Sequence, residues 1–117
     1  MTTFRTPATE KKYTDLIAQG ILENGCRLCQ IETIQAFTYW RIILNEFPYD
    51  RVASTHDMIV PLRHISELGL TEEERKELID IKHSYINERY RYTMEAAHKN
   101  KSIPEHFHLH LITLKEE

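Results

Sequence analysis

Few residues in this 117-residue chain interrupt regular structure, since it holds only three glycines and four prolines. That scarcity excludes collagen-like and low-complexity chains. Cysteine is scarcer still: Cys26 and Cys29 are too few for a disulfide scaffold. Neither sign of charge dominates, with 15 Lys and Arg against 18 Asp and Glu, a net −3 with histidines neutral. Such a balance argues against reading a phosphate backbone, so no nucleic-acid partner is expected. Apolar runs stop after a few residues, at Ile42–Leu44 and Met58–Val60, far short of a membrane span. Met1 to Lys12 has no apolar stretch of the secretory kind, and the expected location is cytoplasmic. At 41% hydrophobic and 28% charged, the chain suits one globular domain over residues 1–117.

The cysteines are spaced Cys-Arg-Leu-Cys, which reads as a metal half-site, a redox pair or chance. A redox pair wants a strand before the motif and a helix opening with it. Here helical sequence precedes and β-like sequence follows, so metal binding ranks first. Residues 1–9 read as a flexible arm. Glu10 to Glu23 reads as a helix with Tyr13, Leu16, Ile17 and Ile21 on one stripe, stopped by Asn24-Gly25. Gln30 to Asn45 turns β-like, a loop follows, and His56 to Pro61 reads as a second strand stretch. Thr71-Glu72-Glu73-Glu74 is a capping box that opens the clearest element. Neither Gly nor Pro interrupts Thr71 to Lys99, so the pattern predicts one continuous helix from Thr71 to about His98. Tyr85, Tyr90 and Tyr92 read as helix-face packing rather than a base-stacking platform.

Histidine is what the chain has in excess: seven residues, three of them within five positions. In His106-Phe107-His108-Leu109-His110-Leu111-Ile112 the side chains of a strand alternate. All three imidazoles then share one face, and Phe107, Leu109 and Leu111 pack on a core. A row of imidazoles can donate, accept, bind metal or attack phosphorus near neutral pH. The plain alternative is a solvated polar face. A purification tag is contiguous and lacks alternating apolar residues.

This segment resembles the His-φ-His-φ-His-φ-φ signature of the histidine triad superfamily, φ being apolar. Further stretches match in order. Asn45 and Pro48, followed by His56-Asp57-Met58-Ile59-Val60-Pro61-Leu62-Arg63-His64, resemble the family's Asn/Asp–Pro–loop–His-x-apolar-apolar-apolar-Pro-x-x-His stretch. Leu70 to Glu74 resembles its helix start, and Cys26-x-x-Cys29 resembles the zinc half-site of many triad proteins and of galactose-1-phosphate uridylyltransferase. The resemblance implies an α+β fold: an antiparallel sheet of four or five strands with a long helix packed on one face. It implies a nucleotidyl hydrolase or transferase that cleaves a phosphoramidate or dinucleoside polyphosphate through a nucleotidyl-histidine. The alternative is a zinc-stapled nucleotide-binding or regulatory module with little activity, and a third reading has the histidine row itself as metal ligands.

Residue by residue, the resemblance makes His108 the nucleophile, with His110 and His56 binding the phosphoryl oxygens. Asn45 matches the ribose-binding position and Ser102 the hydroxyl aimed at the phosphate. Phe47 and the Ile42–Leu44 strand are candidates for lining the base pocket. Structural zinc would be held by Cys26, Cys29, His64 and His106, and the partners implied are a nucleotide conjugate and a second copy of the chain. His83 and His98 have no matching role. The family's further strand and Gly-Gln-Ser/Thr turn between helix and triad are expected to be missing here. Glu105 is a carboxylate beside the triad, with Arg63 as a candidate cation for it.

Overall fold

The computed structural model describes residues 4–23 and 25–116. Helices α1 (Pro7–Ala18) and α2 (Arg27–Gln30) come first, then strands β1 (Thr33–Ala36), β2 (Trp40–Leu44) and β3 (Ala53–Pro61). Helix α3 (Glu72–Ile81) continues through a wider π turn (Lys82–Ile86) into α4 (Asn87–Arg89), a helix of 18 residues in all. Strands β4 (Tyr92–Met94) and β5 (Leu109–Leu114) follow. The strands form one antiparallel sheet ordered β1-β2-β3-β5-β4. The expected α+β architecture, an antiparallel sheet with a long helix against it, is the one observed. Among the described residues no helix is long and apolar enough to cross a membrane.

Side-chain alternation sorts the two faces of the sheet. Trp40, Ile42, Ile59, Leu109 and Leu111, with Phe107, meet Leu78, Ile81 and Ile86 of the long helix. Trp40 is fully buried, its indole N–H donating to the Glu74 carbonyl at 2.8 Å and its ring edge-on to Phe107 at 5.9 Å. On the opposite face Ile43, Met58 and Val60 pack against Leu28 of α2 and Ile103. His56 and His110 project to that second face, as the register Met58↔His110 and His56↔Ile112 requires. The capping box forms as its spacing predicts: Thr71 Oγ1 accepts the Glu74 N–H at 3.1 Å, and Glu74 Oε1 accepts the Thr71 N–H at 2.8 Å.

Several boundaries differ from the sequence reading. The helix does not reach His98. It ends at Arg89, Tyr90 turns extended, and Tyr92-Thr93-Met94 joins the free edge of β5 as β4. No glycine or proline signals this stop, and edge pairing prevails over helical periodicity. The strand expected to be missing between helix and triad is therefore present. β5 begins at Leu109, so His106 to His108 lie before the ladder. Gln30 to Asn45 splits into β1 and β2, whose hairpin is closed by the Phe37 N–H donating to the Trp40 carbonyl at 2.8 Å.

Helix α1 runs earlier than expected, from Pro7, and stops where Gly20 takes a left-handed φ of +88°. Asn24, read as part of that stop, lies outside the described residues, as do Met1 to Thr3 of the expected arm. The rest of that arm is engaged: Thr6 caps α1 and its N–H donates to Asp50 Oδ1 at 2.9 Å. Tyr85 stacks edge-on against Phe37 at 5.5 Å, Tyr90 donates to buried Asp57 at 2.5 Å, and Tyr92 is half-exposed on β4. His83 and His98 are exposed, the latter in a short 3-10 turn.

Candidate functional site: a histidine relay and a sulfur–imidazole cluster

Four of the expected metal ligands converge. The donor atoms of Cys26, Cys29, His64 and His106, from α2 and its approach, the loop after β3 and the run into β5, all lie within 4.8 Å of one another. His106 Nδ1 is 3.4 Å from Cys26 Sγ, 3.3 Å from Cys29 Sγ and 3.3 Å from His64 Nδ1, and Cys29 Sγ is 3.5 Å from His64 Nδ1. A tetrahedral ion with M–N near 2.0 Å and M–S near 2.3 Å has ligand–ligand edges of about 3.3–3.8 Å, so these spacings fit one. The fully buried His106 ring faces the Pro61 carbonyl through Nε2 at 3.2 Å. That carbonyl only accepts, so Nε2 carries the hydrogen and Nδ1 turns its lone pair into the cluster. A lone pair converging on a second imidazole nitrogen and two sulfurs is a donor set for a soft or borderline cation. Burial, then the neighbouring Cys26 sulfur, raises the Cys29 thiol pKa, as crowding of two thiols requires.

Arg41 supports this cluster from β2. Its guanidinium donates to the Leu28 and Ile31 carbonyls at 2.6 Å each, tying down the end of the turn that carries Cys26 and Cys29.

The remaining histidines form a second group whose hydrogens can be traced from the backbone outward. His108 Nδ1 lies 3.0 Å from the His106 carbonyl and donates to it, which leaves the Nε2 lone pair free. His56 Nδ1 accepts the Tyr49 N–H at 2.9 Å, so its hydrogen sits on Nε2. That Nε2–H points at His110 Nδ1, 2.8 Å away, and His110 therefore carries its own hydrogen on Nε2. Asn45 cannot compete as an acceptor there: its Oδ1 takes the Phe47 N–H at 2.8 Å, and its Nδ2 stands 3.2 Å from His56 Nε2. One imidazole thus offers a lone pair and its neighbour an N–H.

Burial keeps His56 and His110 neutral. It lowers His56 to about 4, helped by the Arg5 charge, and His110 to about 3, helped by His56 and His108. His108 is shifted down by burial as well, against the His106 carbonyl bond that favours its charged form.

His108, His110, Asn45 and Ser102 all line one cavity of about 870 Å3, within the size range of small-molecule sites. Phe47 lines it, but the Ile42–Leu44 strand does not: Ile42 and Ile43 are fully buried in the two cores and Leu44 faces outward. The Ser102 hydroxyl is hydrogen-bonded to the Tyr13 hydroxyl, which closes α1 over the cavity. Glu105 is exposed, and Arg63 pairs with Glu74 at 2.7 Å instead of with it.

Four cavity residues carry no sequence signal. Arg5 lies in the segment read as an arm, yet its Nε donates to the Phe47 carbonyl at 2.7 Å and its guanidinium covers Tyr13 at 4.3 Å and Tyr49 at 5.1 Å. Tyr49 lies over His56 and His110, with ring centroids 4.5 and 5.1 Å away. Lys101 and Tyr13 reach the cavity from opposite ends of the chain. Tyr49 directly follows the Asn45–Pro48 stretch, Lys101 precedes Ser102 and Tyr13 sits on the apolar stripe of the expected helix, but no pattern points any of them at a site. Neither protein-family models nor characterised proteins of known sequence yield a match to this chain.

Proposed function

We propose that the chain is a histidine-triad-type nucleotidyl hydrolase or transferase, cleaving a nucleotide α-phosphate conjugate through a nucleotidyl-histidine. The observation that carries this reading is the pairing of the free Nε2 lone pair of His108 with the outward N–H of His110 in one cavity. A lone pair supplies the nucleophile and an adjacent donor stabilises charge growing on a phosphoryl oxygen. His108 Nε2 bonds to the α-phosphorus as the bond to the leaving group breaks, and the leaving group departs with that electron pair. The imidazole then carries positive charge, which the His106 carbonyl stabilises through the Nδ1–H. Water attacks the same phosphorus and gives up a proton to the departed leaving group, while the P–N bond breaks with its electron pair returning to His108 as neutral imidazole and the nucleotide is released. Asn45 is assigned to the ribose, Ser102 to the phosphate or leaving group, and His56 to orienting His110.

Zinc is the metal we assign to Cys26, Cys29, His64 and His106, because a closed S2N2 set matches its preferred coordination. The ion supplies a structural clasp. A cytoplasmic homodimer belongs to the same reading, supported by the outer edge of β4 with half-exposed Tyr92. The loop between β4 and β5, without glycine, favours the second reading, a nucleotide-binding module with weak turnover.

Incubation with adenosine 5′-phosphoramidate or diadenosine tetraphosphate, followed by mass spectrometry, tests the reading. An adenylyl group on His108 is expected. His108→Ala should abolish labelling and turnover, and His110→Ala should slow both by roughly 10²–10³. His83→Ala, on the exposed π turn, is the control for losing any histidine. Near-normal turnover by His108→Ala would refute the mechanism, whereas tight binding without turnover by the parent protein would favour the module.

A further inference from the structure

Three cations line the cavity, and their partners differ. Arg27 is fully engaged, its Nε donating to Glu46 Oε1 at 2.7 Å and its Nη2 bound to the other carboxylate oxygen. Arg5 is held by the Phe47 carbonyl, by Glu10 at 3.4 Å and by the Tyr13 and Tyr49 rings. Lys101 is different. Its side chain is only 6% exposed, an unusual place for an ammonium. Its partners are Glu95, at 2.6 Å and itself 35% exposed, and the face of Phe107, 5.5 Å from the ring centroid. A rotatable ammonium with one wet carboxylate can exchange that partner for a ligand anion; the two arginines cannot do so without breaking several contacts.

Position along the cavity gives Lys101 its role. Asn45 and Tyr49 mark one end, where the Arg5 guanidinium lies over the Tyr49 ring that in turn covers His56 and His110. Lys101 lines the cavity next to Ser102, and its Nζ lies over the ring of Phe107, the residue before His108, at the other end of the row. A nucleotide with its ribose at Asn45 and its α-phosphate over His108 and His110 directs whatever follows that phosphate toward Lys101. Exposed Glu105 and the Glu95 carboxylate are the opposing charges there.

We propose that Lys101 is the specificity-determining cation of this site, binding the phosphate next to the α-phosphate, so that pyrophosphate-linked nucleotides are preferred over nucleotide amides. This inference rests on the nucleotide reading given above. A charge-assisted contact of this kind is worth about ten- to a hundredfold in affinity.

Calorimetric titration of the full chain with AMP and with ADP, in buffer free of divalent cations, separates the two readings. The expected result is AMP binding, with ADP tighter by ten- to a hundredfold. Lys101→Met should bring the ADP-to-AMP ratio close to one, and Glu95→Gln, which removes the competing carboxylate, should widen it. If Lys101→Met fails to fold, an unchanged ratio in Glu95→Gln is by itself enough to overturn the proposal. AMP binding with no preference for ADP, or a preference that survives Lys101→Met, would leave the nucleotide reading intact and reduce Lys101 to a loop staple. No binding of either nucleotide would remove the nucleotide reading and this proposal together.

Discussion

The carbonyl oxygen of His106 accepts the Nδ1 hydrogen of His108 at 3.0 Å, while the His106 ring closes the cluster with Cys26, Cys29 and His64. One residue therefore belongs to the sulfur–imidazole cluster by its side chain and to the cavity by its backbone. It does so just before β5 begins, where no ladder bonds fix it. The contacts that hold the turn are the cluster, the Pro61 carbonyl and the Phe107 N–H, which donates to the Ile65 carbonyl at 2.8 Å.

Metal removal should therefore be read out at His108 as well as at the cluster. Elemental analysis of washed, tag-free protein is expected to return about one zinc per chain. Cys26→Ser with Cys29→Ser should lose it together with much of the thermal stability. In ¹⁵N spectra at fixed neutral pH, the His108 ring should show one tautomer with metal and a mixture without it. Zinc retained by the double variant would discard the ligand assignment.

The buried relay gives the fold a signed response to acid. His56 and His110 are held near 4 and 3 in the folded protein, against about 6.5 when the chain is unfolded. The unfolded chain takes up these protons first, so stability should fall as pH drops from about 6.5 toward 4. Denaturant unfolding of His56→Asn at pH 7 and pH 5 should show a smaller pH dependence than the parent. An equal dependence would mean that the relay is not the source.

Glu74 responds in a lower window. The Arg63 guanidinium, at 2.7 and 2.9 Å, holds its carboxyl at about 2 with help from Thr71. That stabilisation is complete above the ordinary carboxyl value of 4.5 and is lost as pH falls toward 2. Glu74→Gln should flatten the unfolding curve over that range and leave its shape above pH 5 alone.

Leu109 tests the inner position of the triad strand. It is buried at the helix-facing core, and Leu109→Ala should lower unfolding free energy by roughly 2–5 kcal/mol. A loss well under 1 kcal/mol would place the strand at an exposed edge.

Local chemistry explains what was legible in the sequence. The capping box at Thr71, the Cys-x-x-Cys spacing and the alternation through Leu111 each act over a few residues, so pattern alone located them. The end of the long helix did not, because Tyr92 to Met94 becomes a strand only by pairing with β5, which comes some fifteen residues later. Arg5 and Lys101 were invisible for a related reason. A single charged residue has no periodicity, and each enters the cavity through contacts across the fold. The tautomers of His56, His108 and His110 were likewise unreadable, since the Tyr49 N–H, the His106 carbonyl and the His56 ring set them only in the folded geometry.

The sheet order has a consequence for synthesis of the chain. β5 sits between β3 and β4 yet follows both in the chain, so it leaves the ribosome after them. Until it emerges, β3 keeps one bare edge and β4 has no partner, while Cys26 and Cys29 wait for His106. A nascent chain halted before Leu109 therefore exposes unpaired strand edges, a state that invites chaperones and proteases.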